Sequence, residues 1–367
     1  MSIQPPVDIA VYAGQIPPSD HEVFILNYLQ PLLPYSLPLY RRCQFHRKSS
    51  KPSATGEIWI AAAVKDQNAT IHDGGSVDLS RISDLPWVAA HIDLTNAGQT
   101  QVWTCATWEA QHAGENGQVE NVQKSPHFIV YQRLMDALFE HIRTSHVKNL
   151  SHDPPVQWQR LRDDGKIVSL PYSRSKVLFG TIAECLWTFL DSYNSSSGST
   201  QVTRADRPYL KYIVESEVRT LRQVKAPEGL HFAPMQEQHL QTIVDRTNIP
   251  RTIETLRQLP NAGLFNSDNM PVAWGLLGKD ASLSSLHTEP EYRRRGLAET
   301  IANKLMAEQI SAFQDAVDSN DDAAIVYSHA DVSTSNLASS KVMEKIGGKV
   351  MWRVAWIEVQ LGEPMIV

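Results

Sequence analysis

The run Leu286-His287-Thr288-Glu289-Pro290-Glu291-Tyr292-Arg293-Arg294-Arg295-Gly296-Leu297-Ala298 joins a strand end, a basic turn and a helix start. Arg293, Gly296 and Ala298 fill the pattern Arg/Gln-x-x-Gly-x-Gly/Ala. A turn of this composition suits a pyrophosphate. Backbone N–H groups at a helix start lack intrahelical acceptors, the helix dipole favours negative charge there, and small residues let the backbone come close. Arg293, Arg294 and Arg295 add guanidinium groups that pair with phosphate oxygens.

The flanking residues supply the elements such a turn needs. Leu297, Ile301 and Leu305, with Ala298, Ala302 and Met306 beside them, give the following helix an apolar stripe. Before the turn, residues 270–277 and 281–288 read as strands joined at Gly278-Lys279-Asp280. Beyond the helix, Asn320-Asp321-Asp322 breaks the chain and residues 324–329 read as a buried strand. Thr334 or Ser335 is the expected cap of a helix on which Ala338, Val342 and Ile346 share a face, and Gly347-Gly348 ends it. Residues 349–359 finish as one or two strands.

The segment 282–298 resembles the acyl-CoA-binding motif of GNAT-type N-acyltransferases. Ile325-Val326-Tyr327-Ser328-His329, followed by Ser335-Asn336, narrows the resemblance to the glycine N-acyltransferase-like branch. It covers residues 228–367 well and the first 200 only loosely. The resemblance implies an α/β (α+β) GNAT fold, a mixed and mostly antiparallel sheet flanked by helices, in two tandem units of which the N-terminal one is degenerate. It implies that the backbone of Leu286, His287 and Thr288 bonds the pantetheine amides of acetyl-CoA or another acyl-CoA. Arg293, Arg294, Arg295, Gly296, Leu297 and Ala298 would hold the pyrophosphate. Asn336 matches an Asn that helps position the cofactor in relatives, and a helix cap explains it equally well.

The implied reaction is direct transfer of the acyl group to the amine of a small molecule. A protein or peptide acceptor, or a non-catalytic acyl-CoA-binding module, is the alternative. Aminolysis of a thioester needs the amine held beside the carbonyl and a general base to take its proton. Relatives often carry a Glu at the start of the strand containing Leu286, where this chain has Ser282, and a Tyr acid where it has Met343. His329 and His287 are therefore the candidate bases, since imidazole titrates near neutral pH. Glu289 is set aside as too near the phosphates.

The N-terminal half reads as alternating pieces: a helix over 21–33, strands over 57–64, 87–92 and 101–107, a helix over 128–142, and an ambiguous run over 175–190. Its nearest match to the phosphate turn, Gln111-His112-Ala113-Gly114, continues with Glu115-Asn116 where a small residue is needed. The expected domains are residues 1–193, a connector with a bridging helix over 194–227, and residues 228–367. In the last, 230–234 opens as a strand and 237–246 and 252–259 read as helices; the resemblance implies that these cover the acceptor site and makes 247–251 a candidate specificity segment, which a surface linker explains about as well.

Charge and composition bound the remaining possibilities. The chain carries 34 Lys+Arg against 40 Asp+Glu, and residues 228–367 hold 12 against 18 of these. Three arginines in an acidic half make a local anion site, so no nucleic-acid partner is expected. No apolar run reaches the length of a membrane span, and residues 1–8 lack the basic and apolar regions of a secretory signal. Asn68, Asn149 and Asn194 match glycosylation acceptors by chance in that setting. Cys43, Cys105 and Cys185 form neither a disulfide framework nor a zinc pattern. A cytoplasmic protein, monomer or homodimer, without a metal or membrane partner, is the expectation.

Overall fold

Most of the β-branched and aromatic runs form strands, and the polar segments between them form turns. A computed structural model describes residues 10–49, 56–65, 75–82, 85–112, 122–167, 170–191, 200–221, 223–313 and 324–362. It begins with β1 (Ala10–Gln15), α1 (His21–Phe24), α2 (Leu37–Lys48), β2 (Glu57–Val64), β3 (Trp87–Ile92) and β4 (Val102–Ala106). Then come α3 (Thr107–His112), α4 (Phe128–His141), α5 (Val156–Asp163), β5 (Lys176–Ala183), α6 (Glu184–Asp191) and the long β6 (Thr200–Glu217). Next are α7 (Val218–Leu221), β7 (His231–Ala233), α8 (Leu240–Arg246), α9 (Ile253–Leu256), β8 (Asn261–Phe265), β9 (Pro271–Leu277) and β10 (Leu283–Thr288). Last come α10 (Leu297–Phe313), β11 (Ile325–Ser333), α11 (Leu337–Lys345) and β12 (Lys349–Leu361).

The chain divides into two units, one of Met1–Val156, Ser169–Arg207 and Ala355–Val367, the other of Gln157–Val168 and Pro208–Val354. Both late divisions fall inside strands, β6 and β12. In the first unit β1, β2, β3 and β4 are antiparallel neighbours, and β5 runs parallel to β4 at Val102↔Phe179. The interior strands are buried on both faces, which is why β2 reads as Ile58-Trp59-Ile60-Ala61-Ala62-Ala63-Val64 without alternation. Helix α4 turns Val130, Tyr131, Leu134, Met135 and Leu138 inward at helical spacing. Trp108 stacks on Tyr131 with centroids 4.3 Å apart.

In the second unit β10, β9, β8 and β7 form an antiparallel sheet, while β6 pairs with β11 from Ile325↔Glu217 to Ser333↔Tyr209. A single parallel bridge, Ser282↔His329, joins the start of β10 to β11. No further pair joins the two strands among the described residues, so they part beyond that point. Helix α10 packs on one sheet face, because a Cβ at Gly275 would sit 2.8 Å from Leu305 Cδ1 and 3.0 Å from Leu286 Cδ1. On the opposite face Trp274 and Leu276 join Leu240, Ile243, Val244 and Leu256 of α8 and α9 in one apolar cluster.

Several local expectations are corrected. The bridging helix is strand β6: Tyr209 and Tyr212 occupy ladder positions opposite β11, and β-branched Ile213 and Val214 suit them. The helix over 21–33 is broken into α1, a π turn over Ile25–Leu29 and a 3-10 turn containing Pro31. The ambiguous run is strand β5 followed by α6. Asn336, not Thr334 or Ser335, caps α11, and Met343 is the side chain that this helix buries. The division of the chain puts the boundary at Arg207 and returns residues 355–367 to the first unit, unlike the expected limits. The connector over 194–199, the break at 320–322 and the Ala113–Asn116 part of the degenerate turn lie outside the described residues.

Candidate active site

Strand β10 is irregular where the sequence placed the chemistry. Its pairing with β9 shifts register between Ser284 and His287, and Ser285 takes φ +49°. A β-bulge takes residues out of the ladder and turns the strand. The hydroxyls of Ser284, Ser285 and Thr288 are buried and find no hydrogen-bond partner among the described residues. Leu286 faces α10, whereas His287 lies across the ladder from Trp274, on the face covered by α8 and α9.

From β10 the chain enters the turn through Pro290-Glu291-Tyr292, then Arg293 at φ −65°, Arg294 at φ +63° and Gly296 at φ +76°. Left-handed residues set between others turn successive N–H groups toward one concavity, the geometry of an anion nest. Gly296 owes its identity to that φ, since an added Cβ would meet nothing within 4 Å. The first helical bond runs from Thr300 N–H to the Gly296 carbonyl at 3.0 Å, so the amides of Leu297, Ala298 and Glu299 precede it. Arg293 Nε donates to the Thr288 carbonyl and an Arg295 terminal nitrogen to that of Glu291, bracing the turn. A polar cavity of about 400 Å³, lined by Glu228, Asn266, Asp268, Tyr292 and Arg295 among others, opens beside it.

His287 stacks on Trp274 with centroids 4.6 Å apart, and its Nε2 lies 3.5 Å from Glu289 Oε2. Glu289 Oε1 lies 3.4 Å from Nε of Arg246 at the end of α8. Burial holds the His287 imidazole below its ordinary value against the opposing pull of Glu289, which keeps it neutral at pH 7. Glu289, expected only to lie near the phosphates, is the carboxylate that faces His287. Its spacing from His287 was the available signal, because residues two apart share one face of a strand.

His329 has a different environment. It is fully buried; its Nδ1 faces Lys211 Nζ at 3.1 Å and its Nε2 faces the Asp280 carbonyl at 2.7 Å. An ammonium only donates, so Nδ1 accepts, Nε2–H donates, and neither nitrogen is left for a substrate proton. Burial, reinforced by Lys211, pushes this imidazole down to about 4. The structure thus withdraws the first of the two candidate bases. Asn336 accepts the Ser339 N–H at 3.1 Å as a cap and is exposed, and Met343 is buried. Ser282, in place of the relatives' Glu, donates to Asp280 Oδ1 at 2.6 Å.

Residues 11–212, more than half of the chain, match the family described as the acyl-CoA N-acyltransferase verG N-terminal domain. Residues 261–357 match the FR47-like protein family. No curated protein matches the chain. A solved Drosophila protein, a structural genomics target, is similar in fold with TM-score 0.54 and 14% identity, over 94% of this chain and 97% of that one. A tandem GNAT protein from the clavulanic acid biosynthesis pathway aligns with TM-score 0.46 and 8% identity, over 97% and 99% of the two chains. A GCN5-related N-acetyltransferase from Sphaerobacter thermophilus aligns with TM-score 0.42 and 11% identity, over 97% of each. With its N-terminal half matched to an acyl-CoA N-acyltransferase domain and a bulged strand, nested turn and helix in its C-terminal half, the chain belongs to the acyl-CoA N-acyltransferases of the GNAT superfamily, as two units in tandem.

Proposed function

We propose that the second unit transfers the acyl group of an acyl-CoA, acetyl-CoA foremost, to the amine of a small molecule. The observation that carries this reading is the continuity of the Ser285 bulge, the Arg294–Gly296 nest and the start of α10. In this reading the backbone of Leu286, His287 and Thr288 bonds the pantetheine amides. The amides of Arg294 to Ala298 and the three guanidinium groups hold the pyrophosphate. The parting of β10 from β11 beyond Ser282↔His329 gives the pantetheine its place.

The acceptor amine attacks the thioester carbonyl, a C–N bond forms, and the C–S bond breaks. His287, neutral and on the face of α8 and α9, takes the proton that the nitrogen loses, and Glu289 stabilises the imidazolium. Met343 cannot donate, so the leaving thiolate takes its proton from water or from the imidazolium. The small-molecule acceptor, a cytoplasmic setting and a monomeric or dimeric state belong to the same proposal. Among the described residues no helix is long and apolar enough to cross a membrane.

The test is thiol release with acetyl-, benzoyl- and longer acyl-CoA crossed with amino acids, polyamines and peptides. Turnover with a small amine supports the proposal, and turnover with peptides alone overturns its acceptor class. Coenzyme binding without turnover across the panel overturns the enzyme reading.

A further inference from the structure

The first unit carries a side-chain cluster that acyl transfer does not use. Glu57 opens β2, His141 ends α4, and His146 ends the turn that follows. That turn is π-helical over Ile142–His146 and is closed by the Val147 N–H on the Ile142 carbonyl. Residues five apart stand about 140° apart around an α-helix. Closure from i to i+5 makes five residues about one turn, and brings the two imidazoles to one face. Nε2 of His146 lies 2.7 Å from Glu57 Oε1, and Nε2 of His141 contacts the same oxygen. The three ligand atoms all lie within 4.8 Å of one another.

The surroundings fix these groups in place. His141 stacks on Trp59 at 5.1 Å, the Ser145 hydroxyl lies 3.3 Å from its Nδ1, and the two imidazoles meet edge to face at 5.6 Å. Side-chain exposures are 13% for Glu57, 11% for His141 and 9% for His146. One carboxylate oxygen can accept both Nε2–H donors, and the same convergence of two imidazole nitrogens and a carboxylate oxygen is what a dication asks of its ligands. Two imidazole nitrogens and one carboxylate oxygen, with a water completing the shell, are a known ligand set for zinc. The Ser145 hydroxyl would then accept the Nδ1–H of His141, as outer-shell partners of ligating histidines do. Among the described residues no other group of three His, Cys, Asp or Glu offers such a set.

We propose that Glu57, His141 and His146 bind one divalent ion of the zinc class and thereby pin β2 to the end of α4. This site is independent of the acyl-transfer reading, and its test does not use turnover. Untagged full-length protein, stripped with chelator, is titrated with Zn²⁺ by calorimetry, and its Co²⁺ form is examined by visible absorption. One equivalent of Zn²⁺ should bind and raise the Tm, and Co²⁺ should give the d–d bands of a four- or five-coordinate site. Glu57→Gln and His146→Gln should each weaken Zn²⁺ binding by more than about 10-fold, the scale on which even outer-shell partners act. Should those variants fail to fold, X-ray absorption on the zinc-loaded wild type should find two imidazoles in the shell. No bound ion, equal affinity in Glu57→Gln, or a shell without imidazole overturns the proposal.

Discussion

Nδ1 of His329 lies 3.1 Å from the ammonium of Lys211, and neither side chain has any solvent exposure. The same ammonium lies 2.7 Å from Asp331 Oδ1, its cross-strand neighbour in the β6–β11 ladder. A buried cation shared between a carboxylate and an imidazole is a structural tie, and it directs two tests at stability.

Lys211→Met leaves the Asp331 carboxylate buried opposite an apolar side chain. Removing one partner of a buried pair costs about 3–5 kcal/mol. Urea unfolding should show that loss, and Lys211→Met with Asp331→Leu should recover much of it. A single variant as stable as wild type would contradict the tie.

His329 also sets a pH dependence. Its folded value of about 4 lies below the unfolded 6.5, so protons bind the unfolded chain more readily. The contribution is fully present above pH 6.5 and is lost as pH falls toward 4. A difference of this size corresponds to about 3 kcal/mol. In His329→Asn the fall in unfolding free energy over that window should be smaller by about this amount.

His287→Ala should lower kcat by about 10²–10⁴-fold, the usual contribution of a general base, with little change in KM for acyl-CoA. The wild-type rate should fall on the acid side below the ordinary histidine value, because burial depresses His287. Glu289 works against that depression, so Glu289→Gln should move the acid limb to still lower pH. An unmoved limb in a pH–rate profile would separate Glu289 from His287.

Gly275→Val and Gly296→Val should fail in different ways. A side chain at Gly275 meets Leu305, Leu286 and Ile301 at 2.8–3.1 Å, and such overpacking costs about 1–3 kcal/mol. Its effect should appear as a lower Tm. Gly296 has room but a left-handed φ, so its replacement should distort the nest and weaken coenzyme binding in calorimetry with a smaller loss of Tm.

Asn336→Ala should cost about 1 kcal/mol as a lost cap, and Asn336→Asp should restore it. If KM for acyl-CoA stays unchanged in Asn336→Ala, capping is the whole of its role. A rise in KM without loss of Tm would give it a place at the coenzyme.

The sequence by itself determined the strand, turn and helix around Arg293 to Ala298, because each depends on near neighbours. Apolar spacing of three and four made α10, and the small residues made the turn. It also located His287 and His329 on strands. Only the tertiary structure told them apart: Lys211, 118 positions from His329, consumes that imidazole, while Glu289 and Arg246 surround His287. The same holds for β6, whose strand form depends on its partner β11, and for Glu57, which meets histidines 84 and 89 positions away. Periodicity and turn chemistry are local and can be read along the chain. Burial, charge pairing and ligand convergence arise between distant segments, and folding is what brings those segments together.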